Sequence, residues 1–469
     1  MKLSEELSWR GFCAETTIKD IKTLDEKTHN FYLGADPSAD SLTIGNLAAL
    51  MMCACFARHG YKPYLLVGGA TGQIGDPKDT GERDLKPIEE VEFNKNRIGK
   101  QMTTVLARAI VADNGTTGSG SLLAQACEPD GGSQQASPAT AGARAAGLSK
   151  QTSASGDTTV LDNYDWFKDI NYLDFLRTVG KSFSMTQLLD RQFIQARIGE
   201  GGSGISYAEF SYTLIQGYDF LHLYREYGVD LQLCGADQYG NASSGIHLIK
   251  RFENTEANVW STPLVIDPVS GRKFGKSEGN AVWLAKEPIE HPDGTISENF
   301  TPVFDFYQFW LNQPDTSVEY LMKFYTIYDK ETIESILKEH ENNPGQRIGQ
   351  KALAKGVTEV VHGKIAAEEA IRLTEVLFNK SAIITEDDLK IAKKHLKTAQ
   401  EGINVIDALV ETGLAKSKTE ARNFVKSGAV SLITPGEDGS TNAKITAAET
   451  TLDASGLLKK GKNNFSVIG

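Results

Sequence analysis

From residue 30 onward the chain alternates short apolar runs with stretches of helical periodicity. Asn30 to Gly34 reads as a strand ending in glycine, and Asp36-Pro37-Ser38-Ala39-Asp40-Ser41 is turn and cap chemistry. Ile44 to Arg58 is apolar and rich in helix formers, His59-Gly60 stops it, and Tyr64 to Val67 is a buried strand. Gly68-Gly69-Ala70-Thr71-Gly72 follows as a glycine-rich loop. Strand, helix, strand and glycine loop in that order predict a parallel sheet. Residues 160–285 repeat the α/β pattern, with helices near 171–198 and 207–226, a strand near 230–234 and a loop at 271–280. Residues 303–400 carry apolar positions three and four apart and predict helices, and Thr398 to Gly402 reads as a linker. Ser417-Lys418-Thr419-Glu420 is a capping box, Gly428 fits the end of that helix, and Ala429 to Ile433 fits a strand.

One stretch breaks the pattern. Residues 113–159 contain no Val, Ile, Met, Phe, Tyr or Trp and consist mostly of Gly, Ser, Thr, Ala and Gln. Such a segment cannot bury enough apolar surface to offset its ordering entropy, so a flexible insertion in the first domain is expected. The globular pattern resumes at Val160 with Asn163-Tyr164-Asp165-Trp166-Phe167.

Composition bounds the function. The 469 residues allow two to four domains at ~150 residues each. With 40% hydrophobic and 23% charged residues the chain is an ordinary globular protein. The net charge of −12 argues against a chain that coats nucleic acid as a whole, so RNA contact must come from local patches. Lys418, Arg422 and Lys426, four apart, form one such basic helix stripe, with Lys416 just before it. Cys13, Cys53, Cys55, Cys127 and Cys234 are odd in number and scattered, which fits a reducing compartment. Met1 to Arg10 lacks a hydrophobic signal region, and the longest apolar run, Leu47 to Ala57, is far short of the ~20 residues that span a bilayer. A cytoplasmic protein without membrane contact is expected.

Four segments carry candidate chemistry. Asp36 to Leu47 places small and polar residues where a strand hands over to a helix, and the unpaired N–H groups of a helix N-terminus suit phosphate. Gly45 would let a nucleotide approach the backbone there; an ordinary capped turn explains the same residues equally well. Gly271-Arg272-Lys273-Phe274-Gly275-Lys276-Ser277 sets two lysines three apart, able to reach one polyphosphate, or to remain a solvated basic loop. Its spacing is not that of a Walker loop. Tyr212, Gln216 and Asp219 share one face of an otherwise apolar helix, so they line a cavity or are paired internally. Gln232-Leu233-Cys234-Gly235-Ala236-Asp237-Gln238 puts a carboxylate just past a strand, where ribose hydroxyls are commonly held, or forms a simple turn. Cys55 and His59 are four apart, but no second pair completes a metal site, and none is expected.

Together these segments resemble the bacterial tyrosyl-tRNA synthetases, a family of class I aminoacyl-tRNA synthetases. The resemblance runs from about Trp9 to the C-terminus apart from 113–159. It rests on Gly34-Ala35-Asp36-Pro37-Ser38-Ala39-Asp40-Ser41-Leu42 with Thr43-Ile44-Gly45-Asn46, and on Lys273-Phe274-Gly275-Lys276-Ser277. Further blocks agree in order: Val67 to Pro77, Glu209 to Tyr212, Gln216 to Phe220 and Gly235 to Asn241. The resemblance implies a Rossmann-like parallel-sheet catalytic domain over 1–285, a helical anticodon-side domain over 286–400 and a small α+β RNA-binding module over 404–469. It implies a homodimer that activates L-tyrosine with ATP, Mg2+ being carried on the phosphates, and transfers it to the 3′-terminal ribose of tRNA(Tyr).

The resemblance also implies roles. Tyr32 and Asp219 would hold the phenol hydroxyl; Asp76, Tyr212 and Gln216 the ammonium group; Gln232 would position the substrate beside the α-phosphate. Asp36, Gly45, Gly235, Asp237 and Gln238 would contact adenosine and ribose, with Lys276 also on ATP. Thr43, Asn46, Lys273, Lys276 and Ser277 would serve the pyrophosphate, and Arg83 corresponds to an arginine on a nearby loop. Lys418, Arg422 and Lys426 would meet RNA phosphates, with Lys459, Lys460 and Lys462 on a neighbouring hairpin. Two departures stand out. Thr43 replaces the usual histidine and reaches less far toward the γ-phosphate, and Asn46 replaces a second histidine but keeps a donor. The rivals are a tryptophan-specific sibling, which would have no use for a pair reading a hydroxyl, and an idle RNA-binding paralogue, which only Thr43 favours.

Overall fold

The strand expected at 30–34 extends one residue further, as β1 (Asn30–Ala35), and lies in the interior of a six-stranded sheet. The computed structural model describes residues 1–76, 84–111, 151–152, 158–189, 192–199, 202–267, 271, 273–274, 281–379, 381–436 and 440–469. They divide into two compact units, one of residues 1–301 with 313–356, the other of 302–312 with 357–469. Most of the expected insertion at 113–159 lies outside the described residues.

In the first unit α1 (Leu3–Arg10) precedes β1, and α2 (Ile44–Arg58) connects it to β2 (Lys62–Val67). After α3 (Ile88–Val111) come β3 (Gln151–Thr152) and β4 (Thr159–Asp162). Residues 151, 152 and 159 therefore belong to the sheet although the composition assigned them to the insertion; backbone pairing needs no apolar side chain at a sheet edge. The helix expected over 171–198 is broken into Tyr172–Thr178, Met185–Leu189 and Gln192–Ile198, with Gly180 and two serines between the first pieces. Then α4 (Tyr207–Tyr227), β5 (Val229–Gly235), α5 (Tyr239–Glu253) and β6 (Asn258–Thr262) complete the unit's α/β portion. Ser206 caps α4, accepting from Glu209 N–H at 3.2 Å, and Gly228 ends it in the left-handed conformation.

The strand order is β3-β4-β2-β1-β5-β6, parallel except for β3 on β4. Strand β2 is buried along both faces after Lys62, as expected of a parallel sheet covered by helices. The chain leaves β1 toward β2 on one side, while β5 flanks it on the other. Such a reversal opens a crevice at the carboxyl ends of the strands, where α/β proteins bind ligands.

Residues 313–356 group with the sheet in the first unit rather than with the helices around them, while 357–400 group with 302–312 in the second. Tyr325 Oη donates to the Ile44 carbonyl at 3.0 Å, and the Arg10 guanidinium donates to the carbonyls of Lys323, Thr326 and Tyr328 at 2.7–2.9 Å. Arg10 thereby satisfies carbonyls at the end of Asp315–Tyr325 that the helix leaves unpaired.

In the second unit, β8 (Val430–Thr434), β9 (Thr441–Ile445), β10 (Gly456–Lys460) and β11 (Asn464–Ile468) form an antiparallel sheet in the order β9-β8-β10-β11, and β7 (Thr398–Ala399) pairs parallel to β11. The segment read as a linker is thus an edge strand. Leu457 and Val467 also pack with Leu373, Leu377, Ile384 and Leu389, so the terminal module shares its core with the helices before it.

Glu6 organises the base of the first unit. Its carboxylate takes Arg10 Nε at 2.7 Å, Arg58 at 2.9 Å and His59 Nε2 at 2.8 Å. Burial pushes this carboxyl up, but the His59 hydrogen bond and the two guanidinium charges outweigh it and hold it well below the usual glutamate range. Glu6, Cys55 and His59 bring potential ligand atoms within 4.8 Å of one another, a grouping the spacing had not revealed. Two arginines on the same carboxylate, and burial that pushes the Cys55 thiol up, oppose a thiolate-bound cation there.

A depressed carboxyl stabilises the fold above its unfolded value of 4.5 and loses that contribution as pH falls. Glu6→Gln should therefore cost about 3 kcal/mol at pH 7. Melting curves should show the gap to the unaltered chain closing below the usual glutamate range; a gap constant from pH 7 to pH 3 would refute the account.

Candidate active site

The carboxyl ends of β1 and β5 open into a cavity of about 1230 Å3, above the ~300–1,000 Å3 of single-ligand pockets. Its lining includes Tyr32, Asp36, Thr43, Gly45, Asn46, Asp76, Tyr212, Gln216, Asp219, Gln232, Gly235, Asp237, Gln238 and Lys273. Every sequence-predicted residue of the amino-acid and nucleotide sets that is described falls on this one cavity. Lys276, Ser277 and Arg83 lie outside the described residues.

Strand register brings the recognition residues together. Tyr32 on β1 sits opposite Gln232 on β5, and α4 crosses behind with Asp219. Asp219 is 2% exposed. Its Oδ1 accepts from Trp166 Nε1 at 3.0 Å and its Oδ2 from Asn163 Nδ2 at 3.2 Å. Burial pushes this carboxyl well up, opposed by those two hydrogen bonds and reinforced by the Asp36 and Asp162 charges. Burial and the Asp219 charge push the Tyr32 phenol up as well, so Tyr32 keeps its proton. Among the described residues, Tyr32 Oη, Gln216 Oε1 and Gln232 Oε1 are buried with no hydrogen-bond partner. Such atoms are rare unless something else satisfies them.

The ammonium side is a network. Tyr212 Oη donates to Asp36 Oδ2 at 2.8 Å, and Thr71 Oγ1 donates to Asp36 Oδ1 at 2.7 Å. Asp76 accepts from Gln238 Nε2 at 2.8 Å and from Asn241 Nδ2 at 3.4 Å. The structure therefore ties Asp36 and Gln238, both expected at the adenosine, to the residues expected at the ammonium group. Tyr212 spends its proton on Asp36 and keeps an oxygen lone pair that a cation can use. Burial pushes Asp237 up, against the nearby Lys273 charge.

The glycine loop is explained by contact. A β-carbon at Gly68 would lie 2.1 Å from Thr71 Oγ1 and 2.2 Å from Asp36 Oδ1, and one at Gly69 would lie 2.2 Å from Asp162 Oδ1. At Gly45, which lines the cavity, the Phe274 backbone also comes close: a β-carbon there would lie 2.8 Å from the Phe274 carbonyl oxygen. The backbone just after the second signature, at 282–284, pairs with the first. Ile44 N–H donates to the Val282 carbonyl at 3.0 Å, and Leu284 N–H to the Leu42 carbonyl at 2.8 Å. At the first signature Asn46 Oδ1 accepts from Thr43 N–H at 3.0 Å and Thr43 Oγ1 at 3.1 Å. The Thr43 hydroxyl proton is thus used in capping α2, which leaves the Asn46 amide N–H groups as the side-chain donors of this pair.

Asn163, Trp166, Thr71 and Asn241 were not singled out by sequence. All were in view, in Asn163-Tyr164-Asp165-Trp166 and two quoted blocks. The available signal was position, since a polar residue just beyond a predicted parallel strand points into the crevice.

A parallel sheet with its cavity at the switch point, both signature segments at the N-terminus of α2, and Lys273 on the cavity lining are the architecture of a class I aminoacyl-tRNA synthetase. Comparisons narrow this. The family "tRNA synthetases class I (W and Y)" matches residues 24–379, and the "Tyrosine--tRNA ligase SYY-like C-terminal domain" matches 390–468. A tyrosine–tRNA ligase of Bifidobacterium longum is 37% identical over 446 residues, 92% of this chain and 88% of the relative. One from Streptococcus thermophilus is 37% identical over 438 residues, 92% of this chain and 91% of the relative. The crystal structure of a C-terminally truncated Aspergillus nidulans mitochondrial tyrosyl-tRNA synthetase aligns with a TM-score of 0.62 at 25% identity, over 80% of this chain and 94% of that one. The chain belongs to the tyrosine–tRNA ligases, class I synthetases that use ATP as substrate.

Asp219→Ala should raise the tyrosine concentration needed for activation by a factor of ~100, because it strands the Asn163 and Trp166 donors. Kinetics with tyrosine and phenylalanine check this; unchanged discrimination would remove Asp219 from recognition.

Proposed function

We propose that the cavity activates L-tyrosine with ATP to tyrosyl-adenylate and pyrophosphate, and that tyrosine then passes to the 3′-terminal ribose of tRNA(Tyr). The observation that carries the residue roles is the set of three orphaned buried polar atoms, on Tyr32, Gln216 and Gln232, beside a carboxylate already fixed by two donors. A phenol hydroxyl donates one bond and accepts another. Tyr32, which keeps its proton, supplies the donor, and Asp219 the acceptor. An indole or phenyl group would leave both unpaired, which favours tyrosine over tryptophan and phenylalanine.

In the reaction the tyrosine carboxylate attacks the α-phosphorus in line and pyrophosphate leaves. No protein nucleophile is needed, and the protein positions the reactants and stabilises charge growing on the leaving group. Asp76, Tyr212 and Gln216 hold the ammonium group, and Gln232 sets the carboxylate beside the α-phosphate. Gly235 and Asp237 take the ribose side, and a β-carbon at Gly235 would lie 2.6 Å from Asp237 Oδ1. Lys273, Lys276, Ser277, Thr43 and Asn46 face the pyrophosphate, and Mg2+ enters on the ATP phosphates as part of the substrate.

The C-terminal module binds tRNA through Lys418, Arg422 and Lys426, which are exposed on the helix Lys418–Lys426. Lys460 is committed otherwise, donating to the Leu414 carbonyl at 2.7 Å and lying over the Phe424 ring. The chain works as a cytoplasmic homodimer; the dimer is supported by the exposed side chains of Tyr172 and Leu173, between β4 and α4, and of Tyr207 at the start of α4.

Exchange of labelled pyrophosphate into ATP should depend on tyrosine and magnesium; no exchange with the pure chain would favour an idle scaffold. Because the terminal module shares its core with the preceding helices, charge removal is a cleaner test of it than truncation. Lys418→Ala, Arg422→Ala and Lys426→Ala together should leave exchange within about twofold and weaken tRNA charging by ~10-fold or more at physiological salt. Equal loss of both activities would sink this division of labour.

A further inference from the structure

Lys95 is 2% exposed, far from the surface positions lysines normally occupy, and neither signature accounts for it. It lies on α3, and its ammonium donates to Asp162 Oδ2 at 2.7 Å and to Glu92 Oε1 at 2.7 Å. Asp162, the last residue of β4, is also buried. Its other oxygen, Oδ1, accepts from Gly69 N–H at 3.1 Å and Tyr164 N–H at 2.9 Å. One carboxylate thus joins helix α3, the glycine loop and the turn that carries Asn163 and Trp166.

The next residue extends the connection into the cavity. Asn163 Oδ1 accepts from Ala70 N–H at 2.7 Å, and its Nδ2 lies 3.2 Å from both Thr71 Oγ1 and Asp219 Oδ2. Thr71 in turn holds Asp36, which holds Tyr212. The connection thus reaches Asp219, Asp36 and Tyr212, all on the cavity lining. The pair is tight on the loop side too, since a β-carbon at Gly69 would overlap the Asp162 carboxylate.

The geometry points to Lys95 as a positioning residue for amino-acid recognition: its ammonium fixes the Asp162 carboxylate, which holds the glycine loop and the Asn163–Trp166 turn in the register that aims Asp219 at the substrate hydroxyl. This inference rests on Tyr32 and Asp219 as the recognising pair. There is an electrostatic component as well. The Asp162 charge acts to push the Asp219 carboxyl up, and the Lys95 ammonium lies between Asp162 and that outcome. Without it, a bare buried carboxylate would stand behind the recognition site. Breaking a buried ion pair from one side is costly, whereas neutralising both sides is tolerated.

The test is equilibrium binding of labelled tyrosine, with pyrophosphate-exchange kinetics and a melting curve, on the full chain. Lys95→Met should raise the tyrosine Kd and KM roughly tenfold while the ATP KM moves less than about twofold. Adding Asp162→Asn to Lys95→Met should recover most of the loss, because the stranded charge is removed. Should Lys95→Met not yield folded protein, Asp162→Asn alone decides. It keeps an acceptor for Gly69 N–H but sets an amide against the ammonium, and should raise the tyrosine Kd about threefold or more. Either soluble single variant binding tyrosine like the unaltered chain overturns the proposal, even if its melting temperature falls, since that is the signature of a merely structural pair. An unaltered chain that binds no tyrosine overturns the recognition reading and this inference with it.

Discussion

A carboxylate buried at the floor of a cavity is an unfavourable object, and much of the first unit is arranged around tolerating one. Asp219 sits on a helix whose other faces are packed among Phe220, Leu221 and Leu223, so no water layer is available to it. It persists because two donors from a single turn, Asn163 and Trp166, reach one oxygen each. That fixes the carboxylate's orientation and leaves one lone-pair direction on each oxygen for something else. With the Tyr32 donor on the same cavity, the site proposed for the substrate hydroxyl offers it both a donor and an acceptor. On that reading specificity is a matter of leaving buried groups unpaired when the wrong ring enters, a larger effect than the loss of a hydrophobic contact.

The nucleotide side is held by a different means. The backbone of residues 42–44 pairs with 282–284, and the carbonyl of Phe274 packs where Gly45 lacks a side chain. The backbone that follows the second signature is therefore fastened to the N-terminus of α2, whose dipole favours phosphate. This gives a physical place to Thr43. A histidine there would extend into the cavity, whereas threonine turns back to cap the helix with Asn46. The local consequence is a well-ended helix, and on the proposed reading the contact to phosphate falls to Asn46 and the lysines of the second signature.

The parallel sheet was legible because its signals are local: apolar runs such as Asn30–Gly34 and Tyr64–Val67, glycine at or just after their ends, and cap chemistry before α2. The residues lining the cavity were legible because the family blocks name them. What the sequence concealed depends on distant partners. Lys95 reads as one more charge on an amphipathic helix until Asp162, 67 positions on, is placed against it. Thr398–Ala399 reads as a linker because two residues carry no period, and only pairing with β11 makes them a strand. Gly45 was read for close approach, and the Phe274 carbonyl is one group that comes near, which a glycine alone does not name. Residues 313–356 were grouped with the helices that follow them because amphipathic periodicity says that a face is buried without saying against what.

On the proposed reading, recognition and charge stabilisation are carried by different kinds of structure. The groups proposed to read the amino acid stand on β1, β5 and α4 and are braced by Trp166 and by the buried Asn163, Asp162 and Lys95. Recognition of one hydroxyl needs donors and acceptors held to fractions of an ångström, and only packed elements supply that. The described lysine of the second signature, Lys273, is instead exposed on a segment outside the strands of the sheet. A compact cation can stabilise a departing pyrophosphate over a range of geometries, because its field is not directional in the way a hydrogen bond to a single hydroxyl is. The chain places its rigid scaffold where geometry discriminates and its lysine where only charge is needed.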